Sequence, residues 1–201
     1  MTENGFEYVD LGLPSGTMWA TCNVGAKKPE DVGLLFQFGR ADGYKYGDKN
    51  NKFRTKEQNK QDTSDEDIPL TASGQIYKNY DILDLIDDAA HVNMGGKWKM
   101  PTKDELEELL NNTTQEVETI NGVKGMLFTS KMNSKQLFIP FVGWWYNDNY
   151  YNAGYGAYVL SSQVSALFVD DAYLLYCNSD NAVIYFYYRS HAFSVRGVFK
   201  K

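Results

Sequence analysis

The apolar residues form short, strand-like runs near both ends of the chain and follow a helical spacing between them. Near the N-terminus, Tyr8–Gly25 predicts two short strands around a turn at Pro14–Gly16. Lys28–Gly33 predicts a short helical turn, and Leu34–Phe38 predicts the strand that follows it. The chain is therefore expected to begin with a small group of strands.

Two helices are predicted in the middle of the chain. Tyr80–His91 places isoleucine, leucine and alanine side chains at helical spacing. Thr102 and Glu105 have the spacing of a capping box, in which each side chain bonds the backbone N–H of the other residue. This capping box predicts a second helix over Asp104–Asn111.

The second half of the chain predicts strands again. The Asn-Gly pair between Val117–Ile120 and Lys124–Ser130 is a strong hairpin signal, because both residue types tolerate positive φ angles. Gln136–Val142 predicts a further strand, and several short strands follow from Tyr158 onward. The order of strands, helices and strands predicts an α+β fold.

A polar segment interrupts this pattern at residues 47–69. It is rich in Lys, Asn, Gln, Asp and Thr and offers almost nothing to bury, so it predicts a mobile surface insertion. Because the apolar pattern resumes after it, residues 1–201 are expected to form one domain with this insertion.

One long stretch has an unusual composition. Over the 54 residues from Tyr146 to Phe199 there is no Lys, Glu, Met or Trp, and Gln163 is the only Gln. Residues 1–145 contain 40 residues of these five types, so about 15 would be expected in the stretch at the same frequency. These five types are the ones that no codon ending in a pyrimidine encodes. The stretch also holds 10 of the 15 Tyr residues.

Two interpretations of this composition are open. Tyr with Ser, Gly and Asn is typical of evolved binding surfaces, where Tyr supplies rigid contact area and the small polar residues supply hydrogen bonds. The alternative is an ordinary Tyr-rich β-region, since strands favour aromatic residues and contain little Lys and Glu. The alternative explains the missing Met, Trp and Gln less well.

Charge and hydropathy exclude some classes of partner. The net charge is −6 and no basic run is present, which argues against nucleic acid. No stretch approaches the roughly 18 apolar residues of a membrane span, so no membrane insertion is expected. Met1–Asp10 has neither the basic start nor the apolar core of a signal peptide. The compartment stays open, with a virion or a cell surface favoured.

Six motifs, in this order, resemble the FISUMP major paralogous domain: Tyr8–Gly25 (YVDLGLPSGTMWATCNVG), Gly95–Leu109 (GGKWKMPTKDELEEL), Phe138–Gly143 (FIPFVG), Asn152–Gly154 (NAG), Leu160–Ser162 and Arg189–Val198 (RSHAFSVRGV). The resemblance covers nearly the whole chain except residues 47–69. Because that family is related to the C-type lectins, the resemblance implies a C-type-lectin-like fold.

Some proteins of that fold are the variable proteins of diversity-generating retroelements, which mutagenise template adenines in a C-terminal repeat. Randomising the adenines of Asn codons (AAY) gives NNY codons, which encode no Lys, Glu, Met, Gln or Trp. The resemblance and the composition therefore converge on a variable region at about 146–192. Leu160, Ala192 and Gly197 depart from the Trp, Gly and Pro usual in the family. A Trp codon lacks adenine, so adenine mutagenesis does not explain Leu160, and Gln163 must be a fixed position.

A calcium-dependent sugar site is not expected. Lectins of this fold often use Glu-Pro-Asn or Trp-Asn-Asp motifs, and neither occurs here. Asp148, Asp170, Asp171 and Asp180 are spread along the chain, whereas calcium requires about 6–8 converging oxygens. These aspartates are expected to be solvated turn residues, and no metal or cofactor is predicted.

An enzyme is not predicted. The formylglycine-generating oxidases of this fold depend on a C-terminal cysteine pair, but only Cys177 lies in that region, and Cys22 is in an N-terminal strand. Both cysteines are expected to be small buried hydrophobes. His91 and His191 have no nucleophile or carboxylate at a motif spacing, and His191 is expected to be exposed.

A binding surface is better supported. Tyr185–Tyr188 contains four consecutive aromatic residues, so strand alternation leaves at least two of them exposed, and an exposed aromatic cluster normally marks an interaction surface. Arg196 is expected to be structural. The predicted ligand-binding residues are those expected to be exposed in the variable region: Tyr146, Asn147, Asn149, Tyr150, Tyr151, Tyr155, Leu174, Tyr176, Val183, Tyr185, Phe186, Tyr187, Tyr188, Ser190 and His191.

The sequence thus predicts a ligand-binding display protein of a phage or a bacterial surface, whose C-terminal region is diversified by a retroelement. Its expected partner is a protein or a carbohydrate on a cell surface. The alternative is a fixed lectin-like adhesin or structural module that binds carbohydrate or protein. The two hypotheses differ in whether a near-identical template repeat lies beside the gene.

Overall fold

The computed structural model describes residues 1–48, 53–147 and 149–201. The helices are α1 (Lys56–Thr63), α2 (Ala89–Met94) and α3 (Lys103–Asn112). The strands are β1 (Thr2–Glu3), β2 (Phe6–Val9), β3 (Thr17–Ala20), β4 (Leu34–Phe36), β5 (Tyr44–Lys45), β6 (Thr113–Ile120), β7 (Val123–Ser130), β8 (Gln136–Pro140), β9 (Trp144–Tyr146), β10 (Asn149–Tyr151), β11 (Ala157–Val164), β12 (Asp171–Cys177), β13 (Ala182–Tyr188), β14 (Phe193–Ser194) and β15 (Val198–Lys200).

The fold is mostly β-sheet, and the predicted α+β, C-type-lectin-like fold is therefore wrong. Strands hold 37% of the residues and helices only 12%. The strands of the described residues form a six-stranded sheet in the order β13-β12-β11-β14-β4-β5, a four-stranded sheet β1-β2-β3-β15, a three-stranded sheet β6-β7-β8 and the hairpin β9–β10. The helices are about as extensive as predicted, and the difference lies in the number and extent of the strands.

Two hydrophobic cores lie on opposite faces of the six-stranded sheet. Successive side chains of a strand point to opposite faces, so Leu174 of β12 packs in one core with Phe38 and Phe193, while its neighbour Leu175 packs in the other. The second core includes Leu106 of α3. β13 is the outermost strand of this sheet and pairs only with β12 among the described strands.

Several local predictions are confirmed. Thr102 and Glu105 form both hydrogen bonds of the capping box at the start of α3. The hairpin between β6 and β7 turns at Asn121 and Gly122, whose φ angles are 51° and 84°. β2 and β3 pair in antiparallel fashion on either side of the Pro14–Gly16 turn.

The helix predicted over Tyr80–His91 is mostly wrong, because α2 begins only at Ala89. Tertiary hydrogen bonds replace helical ones in the first part of the segment. The Asp87 carboxylate accepts hydrogen bonds from the backbone and hydroxyl of Ser73, and the Leu83 N–H donates to the Ser162 carbonyl at 2.8 Å. The apolar residues Ile82, Leu85 and Ile86 are consequently exposed.

The polar insertion is folded where the structure describes it, and residues 49–52 of it lie outside the described residues. Thr55 and Gln58 form a complete capping box at the start of α1. Asn59 and Ile68 are buried, although the sequence predicted almost nothing to bury here. The Asn59 side chain donates to the Glu66 carbonyl and accepts a hydrogen bond from Arg54. Hydrogen bonds between polar groups of the segment thus stabilise its folded structure.

No helix among the described residues has the length and apolar character needed to cross a membrane.

Candidate functional site: a tyrosine-rich surface

Most of the predicted binding residues lie at the surface. The exposed ones are Asn147, Asn149, Tyr151, Tyr155, Val183, Tyr185 and Tyr188. The partly buried ones are Tyr146, Tyr150, Tyr176, Phe186 and Tyr187. Two of the four consecutive aromatic residues, Tyr185 and Tyr188, are 49% and 44% exposed, as strand alternation predicted.

Three of the predicted residues are buried, and their expected exposure is wrong. Leu174 is fully buried because it lies on the face of β12 that packs against Phe193 and its neighbours. Ser190 is buried because the folded insertion covers it, and its hydroxyl donates to Asp67 Oδ1 at 2.7 Å. His191 is buried because aromatic rings enclose it.

The ring of Trp144 in β9 contacts a tyrosine of β10 and a tyrosine near the end of β13. Its ring centroid lies 4.5 Å from that of Tyr151 and 5.3 Å from that of Tyr187. Trp144 itself is buried, so it packs beneath the surface and supports the two tyrosines. Residues from two separate parts of the stretch are thereby brought together on one surface.

His191 is the second centre of this aromatic cluster. Its imidazole stacks on the ring of Tyr146 with the centroids 4.0 Å apart, and it lies 4.7 Å from Trp144 and 5.0 Å from Tyr187. Burial lowers the pKa of His191 to about 4; a smaller opposing effect comes from Asp67. The imidazole is therefore neutral at pH 7 and acts as an aromatic ring.

The insertion supplies residues to this region that the sequence did not single out. Lys56 of α1 bonds Asp67 at 3.1 Å and lies over the ring of Tyr146, 6.0 Å from its centroid. Phe53 stacks on Trp145 with a centroid distance of 5.8 Å. The capping-box spacing of Thr55 and Gln58 was a signal for α1, but nothing in the sequence indicates which surface α1 covers.

Two predicted residues lie apart from the cluster. Val183 is near the start of β13, opposite Tyr176, whereas Tyr187 is near its end. Tyr155 is 77% exposed and follows β10 in a turn. The predicted set is thus a central aromatic cluster with outlying members.

A groove of about 360 Å³ runs along the outer strand next to this cluster. Its lining residues are Phe168, Asp170, Asp171, Tyr185, Phe186, Tyr187 and Tyr188. Burial, followed by the charges of Asp170 and Asp67, raises the pKa of Asp171 to about 6. The Asp171 Oδ1 atom has no hydrogen-bond partner in the described part of the chain.

The aspartates of the sequence analysis thus have different surroundings. Asp171 lies in β12 and is only 7% exposed, so its expected position in a solvated turn is wrong. Asp180 is exposed in the turn before β13, and Asp170 is partly buried. Asp148 lies outside the described residues. Within the described ranges, no three His, Cys, Asp or Glu side chains converge as metal ligands.

The cysteines and Arg196 belong to the framework. Cys177 is fully buried, and burial raises the pKa of its thiol. Cys22 is only partly buried, and both cysteines are free. Arg196 is fully buried and donates to Asn23 Oδ1 and to the carbonyls of Ala20 and Phe138, which confirms its structural role.

Comparisons with family models, with curated proteins and with solved structures give no match to this chain.

Proposed function

We propose that this protein is a ligand-binding display protein whose tyrosine-rich C-terminal surface is diversified by a retroelement. The proposal rests on the composition of residues 146–199, which lack Lys, Glu, Met and Trp and contain one Gln. Adenine mutagenesis of Asn codons produces an alphabet without these five types. Tyr, Ser, Asn and Gly, which fill the stretch, suit contact surfaces of high adaptability.

The placement of the surface residues supports the proposal. The hairpin β9–β10 and the outer strand β13 carry most of the exposed members of the predicted set, while Ala172, Leu175 and Phe193 of the same stretch are fully buried. Surface substitutions on such a frame change the contacts available to a ligand and leave the core intact.

Gln163, the exception to the composition, has a structural role. Its side-chain oxygen accepts a hydrogen bond from the Lys103 backbone at 3.3 Å, and its amide donates to the Tyr80 carbonyl at 3.4 Å. These bonds tie β11 to the start of α3 and to the segment before α2. A residue in this role is expected to be fixed in the template.

The test is to sequence the surroundings of the gene and to align its 3′ end with any near-identical repeat next to a reverse-transcriptase gene. We expect differences almost only at template adenines, concentrated in the codons of the exposed and partly buried members of the predicted set. The codons of Leu175, Phe193 and Gln163 should be identical in gene and repeat. A missing repeat, or differences spread over all four bases, would contradict diversification and leave a binding module of fixed sequence.

A further inference from the structure

The groove beside β13 combines aromatic rings with negative charge. Five of its seven lining residues are aromatic and the other two are Asp170 and Asp171. No lysine or arginine of the described ranges lines it. The rings of Tyr185 and Phe186 are parallel with centroids 5.3 Å apart, and Phe168 lies 5.8 Å from Phe186. A cation is attracted both to the faces of such rings and to carboxylates.

Neither Arg189 nor Lys56 pairs with Asp171. Arg189 is fully buried and packs over the ring of Phe38 at 4.7 Å. Its Nη1 donates to the carbonyls of Tyr77 and Val169, while its Nε and Nη2 have no hydrogen-bond partner among the described residues. Lys56 bonds Glu66 and Asp67. Asp171 therefore forms no ion pair with any residue that the structure describes.

Asp171 is more than nine-tenths buried and has one carboxylate oxygen without a hydrogen-bond partner in the described chain. A buried polar atom in this condition destabilises the folded protein, and native proteins rarely retain one without a reason. A positively charged ligand in the groove would offset the negative charge of the Asp171 carboxylate, whose unpaired Oδ1 atom is closed off from solvent.

We infer that this groove binds a basic side chain, lysine or arginine, of a partner protein, with Asp171 as its carboxylate anchor and the rings of Tyr185–Tyr188 as its walls. This inference rests on the proposed function and deepens it, since it assigns a ligand chemistry to this variant of the surface. The two aspartates supply the charge complementarity that favours a basic side chain over a neutral or acidic one.

The test uses four small probes with the full chain. Nα-acetyl-arginine amide and Nα-acetyl-lysine amide carry the cation, and Nα-acetyl-citrulline amide and Nα-acetyl-norleucine amide are their uncharged counterparts. Each is titrated into ¹⁵N-labelled protein at pH 7.5 in moderate salt, and amide shifts are followed by NMR. We expect saturable shifts around Asp171 and Tyr185–Tyr188 with the cationic probes, and at least tenfold weaker binding of the neutral ones.

Matched variants locate the site. Asp171→Asn should weaken binding of the cationic probes at least tenfold, whereas Asp180→Asn, the same charge change in an exposed turn, should leave it unchanged. Tyr185→Ala should weaken binding without altering the buried frame. Equal binding of arginine and citrulline probes, or unchanged binding by Asp171→Asn, would overturn the inference. The template alignment is independent of these probes, so a failed titration beside a diversified gene would remove only the groove assignment.

Discussion

The imidazole of His191 lies parallel to the phenol ring of Tyr146, with 4.0 Å between the ring centroids and 2° between the ring planes. Tyr146 begins the stretch that lacks Lys, Glu, Met and Trp, and His191 lies near its end. The contact joins the hairpin β9–β10 to the chain after β13. The aromatic surface is therefore supported by a core residue that the sequence had assigned to the surface.

Replacing His191 by phenylalanine should make the protein more resistant to acid. Because the folded-state pKa of His191 is lowered to about 4, the unfolded chain binds a proton more readily between pH 6.5 and 4. The wild-type protein thus loses stability from this group as the pH falls through that window. Between pH 7 and pH 5, His191→Phe should gain about 2 kcal/mol relative to wild type in urea unfolding.

NMR titration of the imidazole protons checks the cause directly, with His91→Gln used to assign the second histidine signal. A His191 signal that titrates near pH 6.5, or a stability difference between variant and wild type that is the same at both pH values, would contradict the prediction.

The hydrogen bond from Ser190 to Asp67 should hold the insertion on the rest of the protein. Ser190→Ala removes the hydroxyl that donates to Asp67 Oδ1 at 2.7 Å and leaves a buried carboxylate oxygen unpaired. We expect a loss of about 1–3 kcal/mol in the free energy of unfolding and faster trypsin cleavage after Lys60 of α1. The matched variant Ser179→Ala, at an exposed hydroxyl, should change the stability by less than about 0.5 kcal/mol.

Local signals in the sequence were reliable where neighbouring residues alone decide the structure. The Thr102–Glu105 capping box and the Asn121-Gly122 turn depend only on residues close together in the sequence, and both are present. The helix expected from Tyr80 failed because distant partners, such as Ser162 for Leu83, compete for its backbone groups. Spacing of apolar residues does not reveal such partners.

The sequence predicted which strands of the candidate surface carry exposed residues, but not which residues are buried beneath them. Strand alternation predicted that at least two of the aromatic residues in Tyr185–Tyr188 are exposed, and Tyr185 and Tyr188 are. It did not reveal that the insertion would cover Ser190, or that Leu174 would face the core, because alternation alone does not say which face of a strand is covered. Burial of the polar insertion depends on side-chain hydrogen bonds such as those of Asn59, which a composition profile does not show.

Truncating Leu174 should greatly reduce the free energy of unfolding, whereas truncating Tyr155 should hardly change it, although both residues were predicted to bind ligand. Leu174 is fully buried, so Leu174→Ala should cost about 2–5 kcal/mol by leaving a cavity in the core. Tyr155 is 77% exposed, so Tyr155→Ala should stay within about 0.5 kcal/mol of wild type. Chemical unfolding of both variants measures this, and a comparable loss in both would mean that the boundary between frame and surface is misplaced.

Asp171→Asn should stabilise the protein at neutral pH. The pKa of Asp171 is raised to about 6, above the 3.8 of a free carboxyl, so the folded protein holds this proton more tightly than the unfolded chain. Stability from this group is present below pH 3.8 and is lost as the pH rises through 6. At pH 7.5 the asparagine variant should be about 1–3 kcal/mol more stable than wild type, and this gain should shrink toward pH 4.

Asp180→Asn, in the exposed turn, supplies the control for a general loss of negative charge and should leave the urea midpoint at pH 7.5 nearly unchanged. Addition of Nα-acetyl-arginine amide should raise the midpoint of the wild type and not that of Asp171→Asn, because the cation stabilises only the folded protein with a charged groove. If the Asp171 carboxylate lowers the stability of the free protein and the bound cation restores it, Asp171 serves ligand recognition and not the stability of the fold. If Asp171→Asn is instead less stable than wild type at pH 7.5, Asp171 belongs to the frame of the fold.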